Sequence, residues 1–241
     1  MIKIGIDAGH GLKTSGKEVP SYMPVLAGTK EWTLNNNVAS MIEKLLKYEN
    51  VKIIRLDDVT GKVDIPLSER VSKANKNNVD IVVSCHHNAG IKGGAGGGLE
   101  IYRYVKSVKF TKQMQKDLYN SIIKETGNKG NRATPLKEAN FYILKHTTAP
   151  AVLIEFGFMD SMSDIYKIAR NDWAEKCARG VVNWLVKHFN IKKKEEKKQE
   201  KDIYRFIVNG KQVGAFKDIN NILNNVKQNI GTDEIIIRKI K

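Results

Sequence analysis

From Ile2 to Phe189 short apolar runs take turns with stretches whose apolar residues recur at helical spacing, and few folds accept that rhythm. Ile2 to Ile6 alternates as a strand does, and Val51 to Leu56, Asp80 to Cys85, Leu99 to Tyr104, Phe141 to Leu144 and Ala151 to Ile154 are further strand candidates. Between them Leu34, Val38, Met41, Leu45 and Leu46 share one helical face, as do Leu67, Val71 and Ala74, and then Phe110, Met114, Leu118 and Ile122. A stretch from Asp172 to Phe189 puts Trp173, Cys177, Val181, Trp184 and Leu185 on one side. The alternation predicts an α/β fold: a twisted, mostly parallel sheet with helices on both faces, whose ligands bind beyond the carboxyl ends of the strands.

Past this region the run IKKKEEKKQEKD at 191–202 has almost nothing to bury and reads as a charged linker. Residues 203–241 form a small β-β-α-β domain. Asn209-Gly210 supplies a type I′ hairpin signal, Ile219, Ile222, Leu223 and Val226 share a helical face, and Glu234 to Ile240 makes a last strand. A unit of this size is at the edge of independent stability, so it is expected to pack on something or to self-associate as a homo-oligomer. The division is therefore 1–190, 191–202 and 203–241.

Formal net charge is +15, which favours a polyanionic partner: nucleic acid, anionic membrane or an acidic wall polymer. Solvated lysines with no partner are the rival explanation. No zinc-finger spacing and no RNA-recognition aromatic motif supports a specific nucleic-acid role. Two cysteines exclude a disulfide framework, and no apolar run is long enough to be a transmembrane segment. Met1 to Asp7 runs as a strand into a motif without the pattern of a signal peptide. The expectation is a protein made in the cytoplasm. For an extracellular substrate it needs release by lysis, a holin or a nonclassical route.

Chemistry concentrates at four places. Asp7-Ala8-Gly9-His10-Gly11 follows the first strand, where His10 can be a metal ligand or a satisfied structural residue, and Asp7 either orients it or caps the turn. Ser84-Cys85-His86-His87 ends an apolar strand; by alternation His86 shares the face of Ser84, while His87 points away and reads as a rim or solvent residue. Glu31 stands just before a helix, as a third ligand for zinc or as a carboxylate favoured by the helix dipole. Glu155 ends the apolar run 151–154, where a carboxylate either pairs with a buried cation or does acid/base work. The glycine cluster 93–98 leads into a strand and not a helix, which argues against a phosphate loop and for a flexible loop beside the site.

Taken together, DAGHG at 7 to 11, Glu31 opening EWTLNNNVA, the Arg70 segment LSERVSKAN, SCHHNA at 84 to 89 and APAVLIEFGFMDS at 149 to 161 resemble the zinc-dependent N-acetylmuramoyl-L-alanine amidases of bacterial autolysins, sporulation amidases and phage endolysins. The resemblance covers roughly residues 1 to 189. It implies one Zn2+ ion held by His10, Glu31 and His86, Glu155 as the catalytic carboxylate, and peptidoglycan as substrate. His87 replaces a usually small residue, Cys85 a usually aliphatic one, and Ala133 the glycine of an NRG-type segment that includes Arg132. Residues 203–241 faintly resemble a sporulation-related repeat that binds peptidoglycan. The rivals are a zinc peptidase cutting within the stem peptide and a noncatalytic cell-wall-binding protein.

Overall fold

The computed structural model describes residues 1–193, 203–231 and 234–239, and the chain divides into two compact units, Met1–Lys194 and Glu195–Lys241. The first holds a six-stranded sheet in the order β2-β1-β3-β6-β4-β5, built from β1 (Ile2–Ala8), β2 (Val51–Arg55), β3 (Ile81–Asn88), β4 (Glu100–Tyr104), β5 (Leu136–Ala139) and β6 (Ala151–Phe158). β2, β1, β3 and β6 run parallel; β4 is antiparallel to β6 and carries β5 parallel to itself.

Strand alternation sorts the core onto two faces. On one, Ile4, Ile6 and Ala8 of β1, Ile81, Val83 and Cys85 of β3 and Val152 and Ile154 of β6 pack under α1 (Glu31–Leu45), α3 (Lys112–Thr126) and α6 (Trp173–His188). On the other, Val82 and Leu153 meet Val71 and Ala74 of α2 (Leu67–Lys76) and Ile143 and Leu144 of α4 (Tyr142–His146). The α/β fold with helices on both faces is as the alternation requires.

Three local expectations change. Phe141 to Leu144 is not a strand: Phe141 precedes α4, whose Ile143 and Leu144 cover the sheet, because an apolar run of four residues carries no period that separates strand from helix. β5 has only Leu136 and Ala139 as apolar residues, split by Lys137 and Glu138, and so left no apolar run to read. The expected linker begins too early at Ile191, which is buried and donates its N–H to Val186 O; residues 194–202 lie outside the described residues.

The second unit is a three-stranded antiparallel sheet, β8-β7-β9, with β7 (Tyr204–Val208), β8 (Lys211–Phe216), α7 (Ile219–Gln228) and β9 (Ile235–Lys239). Positive φ at Asn209 (47°) and Gly210 (73°) makes the hairpin turn. Phe206 and Ile222 are buried, whereas Leu223, expected on the apolar side of α7, stays exposed. Among the described residues no helix is long and apolar enough to cross a membrane.

Candidate active site

β1, β3 and β6 end side by side, and the register His86↔Glu155 puts those two residues on adjacent strands. After β1 the chain turns through Gly9, which donates its N–H to Cys85 O, and His10 adopts a left-handed φ of 67°. Gly9 sits against the His86 ring so closely that a Cβ there would lie 1.9 Å from His86 Cε1. Gly9→Ala is accordingly expected to displace that imidazole without unfolding the sheet, as the histidine ring signals in NMR and circular dichroism can check.

Glu31 is the first residue of α1, buried at the end of the helix where a negative charge is favoured. Its Oε2 lies 3.3 Å from His10 Nε2 and its Oε1 3.1 Å from His86 Nδ1. One donor atom from each of His10, Glu31 and His86 lies within 4.8 Å of the other two. Burial alone pushes the Glu31 carboxyl up, but hydrogen bonding and charge from His10 and His86 hold it far below the usual carboxylate range. His86 is raised: burial opposes its charge, and Glu31 and Glu155 outweigh burial.

Glu155 borders the same cleft, a space of about 470 Å³ that also touches Lys17, Asp64, Leu67, Phe141 and Tyr142. Its Oε2 is buried and has no hydrogen-bond partner among the described residues. Burial pushes its carboxyl up to about 8, against the pull of His86, with Glu31 and Glu100 adding to the rise. A folded-state value above the ordinary 4.5 means that the fold favours the neutral acid. Its contribution to stability is complete below pH 4.5, declines as pH rises, and is lost once pH passes about 8. Metal-free protein should therefore lose stability over that window relative to Glu155→Gln, read as the difference between their urea midpoints.

The family model described as N-acetylmuramoyl-L-alanine amidase matches residues 4–187. The chain belongs to that family. The sporulation-specific N-acetylmuramoyl-L-alanine amidase of Bacillus subtilis is 29% identical over 244 residues, covering 99% of this chain and 86% of its own. The endolysin of Bacillus phage SPP1 is 32% identical over 196 residues, 79% of this chain and 67% of its own. Among solved structures, the N-acetylmuramoyl-L-alanine amidase of Clostridium difficile 630 superposes with a TM-score of 0.69 at 25% identity, covering 78% of this chain and 97% of that one.

Several supports of the amidase site differ from their sequence reading. Asp7 does not orient His10: it is buried and accepts from Arg70 Nη1 at 2.7 Å and Ser84 Oγ at 2.6 Å. Arg70 also donates to the carbonyls of Ala8, His10 and Ile65 and to Asp64, so it laces the ligand loop to α2. His87 does point away from His86, but that face is covered by α1 and α6, so it is not at the rim. Its Nδ1–H donates to Asn35 Oδ1 at 2.9 Å and its Nε2 accepts from Trp173 Nε1 at 3.3 Å. Burial drops its pKa to about 4, so the ring is neutral. Asn35 in turn donates to Glu31 Oε1 and to Gly9 O, which ties Glu31 to the glycine turn. A polar residue on an otherwise apolar strand face, matched by the single asparagine on the apolar side of α1, was the available signal.

The loop 89–98 is not free. The N–H groups of Gly90, Ile91 and Lys92 all donate to Asp160 Oδ2, and that of Gly98 to Asp164 Oδ2. Cys85 is fully buried on the face opposite His86, and burial pushes its thiol well up, which excludes it as a nucleophile. Lys17 lines the cleft with Nζ 3.8 Å from Glu31 Oε2, whereas Lys30 pairs with Glu18.

Proposed function

We propose that this amidase works with one zinc ion held by His10, Glu31 and His86, and that Glu155 moves the proton during cleavage of the amide between N-acetylmuramic acid and L-alanine. The observation that carries the reading is the unpartnered Glu155 Oε2 beside three converging donors. Two imidazoles and a carboxylate are a donor set that catalytic zinc takes, and one donor atom from each of the three residues lies within 4.8 Å of the other two. The Glu31 carboxylate reaches both imidazoles, with Oε2 3.3 Å from His10 Nε2 and Oε1 3.1 Å from His86 Nδ1. Zinc held there would supply Lewis acidity and lower the pKa of an attacking water to about 7.

The chain's own groups do the rest. Glu155 accepts the proton of the attacking water and delivers it to the departing nitrogen of L-alanine, a role suited to a carboxyl titrating near working pH. Arg70 and Asn35 keep the ligand side chains in register through the backbone of Gly9 and His10. Residues 203–241 are assigned to wall attachment, supported by the match of the sporulation-specific relative over nearly the whole chain.

The test is release of new L-alanine amino ends from purified peptidoglycan, with glycan strands left intact, by zinc-loaded and by chelated protein. Zinc-dependent L-alanine ends support the reading; fragments cut within the stem peptide move the site to a peptidase, and equal activity after chelation removes the metal from the mechanism.

A further inference from the structure

On the face of the sheet that carries His86, the strand ends form one polar row. His86 of β3 pairs with Glu155 of β6, Glu155 with Glu100 of β4, and Tyr102, two residues on from Glu100, with Lys137 of β5. Glu100 is only 1% exposed and is surrounded by donors: Asn88 Nδ2 at 3.0 Å, Tyr102 Oη at 2.9 Å and Arg132 Nε at 2.8 Å, with Lys137 Nζ at 3.4 Å. Two cations thus share one buried anion, which leaves a net positive charge. Arg132 and Lys137 have side chains 37% and 28% exposed. Among the described residues neither Nη group of Arg132 donates to a protein acceptor, and its guanidinium is steadied over the Phe158 ring at 5.3 Å. Asn131 is itself fixed, exchanging hydrogen bonds with the backbone of Gly97.

Resting on the amidase reading above, we propose that Arg132 and Lys137 form a subsite for a carboxylate on the stem peptide, two residues beyond the scissile amide. The distance agrees. β5 lies two strands from β6, about 9–10 Å at ~4.8 Å per strand, and two peptide residues reach about 7 Å before the length of a side group is added. The charge agrees as well, because N-acetylated sugars are uncharged and the anions of the substrate sit on its peptide. The second stem residue, a γ-linked glutamate, bears either a free α-carboxylate or its amide. A guanidinium with open Nη groups takes the carboxylate in a charge-assisted, two-point contact that the amide cannot match.

The experiment uses the zinc-loaded full chain and two muramoyl tripeptides that differ only in a free or amidated α-carboxyl on the glutamyl residue. The third residue is capped as an amide in both, so that its carboxylate cannot be the one recognised. The wild type is expected to favour the acid by at least about tenfold in kcat/KM, expressed in KM, with a preference that shrinks as salt rises. Arg132→Gln brings the acid-to-amide ratio close to one, Arg132→Lys restores part of it, and a charge control on a remote helix, Lys116→Gln, leaves it intact. Equal KM values for the two substrates in the wild type overturn the proposal even if Arg132→Gln does not fold, as does an Arg132→Gln loss equal on both substrates. Cleavage of neither substrate by the wild type overturns the amidase reading itself, an outcome distinct from cleavage without preference.

Discussion

Glu155→Gln is expected to lower release of L-alanine ends from peptidoglycan by about 10²- to 10⁴-fold while zinc still binds one per chain, since that is the usual contribution of a positioned acid/base group. Glutamine fills the same volume and removes only the capacity to take and return a proton. The buried Oε2 accepts no hydrogen bond, so the substitution breaks none there, and it relieves the fold of a carboxylate that it holds largely neutral up to about pH 8. Activity and stability should consequently move in opposite directions. A ligand variant such as His86→Ala behaves differently, losing metal and turnover together. Isothermal titration with zinc beside the end-group assay separates the two patterns, and near-normal turnover in zinc-loaded Glu155→Gln would remove Glu155 from proton transfer.

The second large effect is on folding. Arg70→Met is expected to cost about 3–5 kcal/mol, the usual penalty for breaking a buried ion pair from one side. Arg70 is 1% exposed, and its loss strands the Asp7 carboxylate, which keeps only Ser84 as donor, along with the carbonyls of Ala8, His10 and Ile65. Asp7→Asn combined with Arg70→Met should recover part of that cost by removing the stranded charge, as a double-mutant cycle in urea will show. A single-variant loss below about 1 kcal/mol would place the lacing of the ligand loop elsewhere.

The strands and helices that build the amidase sheet were readable because their periods are strong: β1, β3 and β6 alternate or run apolar, and α1, α3 and α6 carry long apolar stripes. Glu31, His10, His86 and Glu155 were readable as candidates from their place at strand and helix ends, and their convergence follows from parallel strands ending on one edge. What alternation cannot reveal is the layer that covers a face. It turned His87 away from the ligands correctly, yet only the docking of α1 and α6 decides that this side is dry. The roles of Arg70 and Glu100 were hidden for a related reason: besides near neighbours, Arg70 bonds Asp7, Ala8 and His10, 60 to 63 positions away, and Glu100 bonds Asn88 and Arg132, 12 and 32 positions away, on segments that only the folded sheet brings together. Phe141 to Leu144 fell to length, since four apolar residues fit a strand or one helical turn equally.

Strand order also bears on when a newly made chain becomes dangerous to a wall. β6 is synthesised after β4 and β5 but lies between β3 and that pair, so the two halves of the sheet stay apart until it inserts. The three proposed metal ligands all belong to the first 86 residues and lie on the earlier half. Glu155 arrives only with the inserting strand, so that on the proposed mechanism sheet closure and hydrolytic competence are a single event. A ribosome-bound or truncated fragment ending before residue 151 holds the proposed ligands yet lacks the proposed proton carrier, and so remains unarmed.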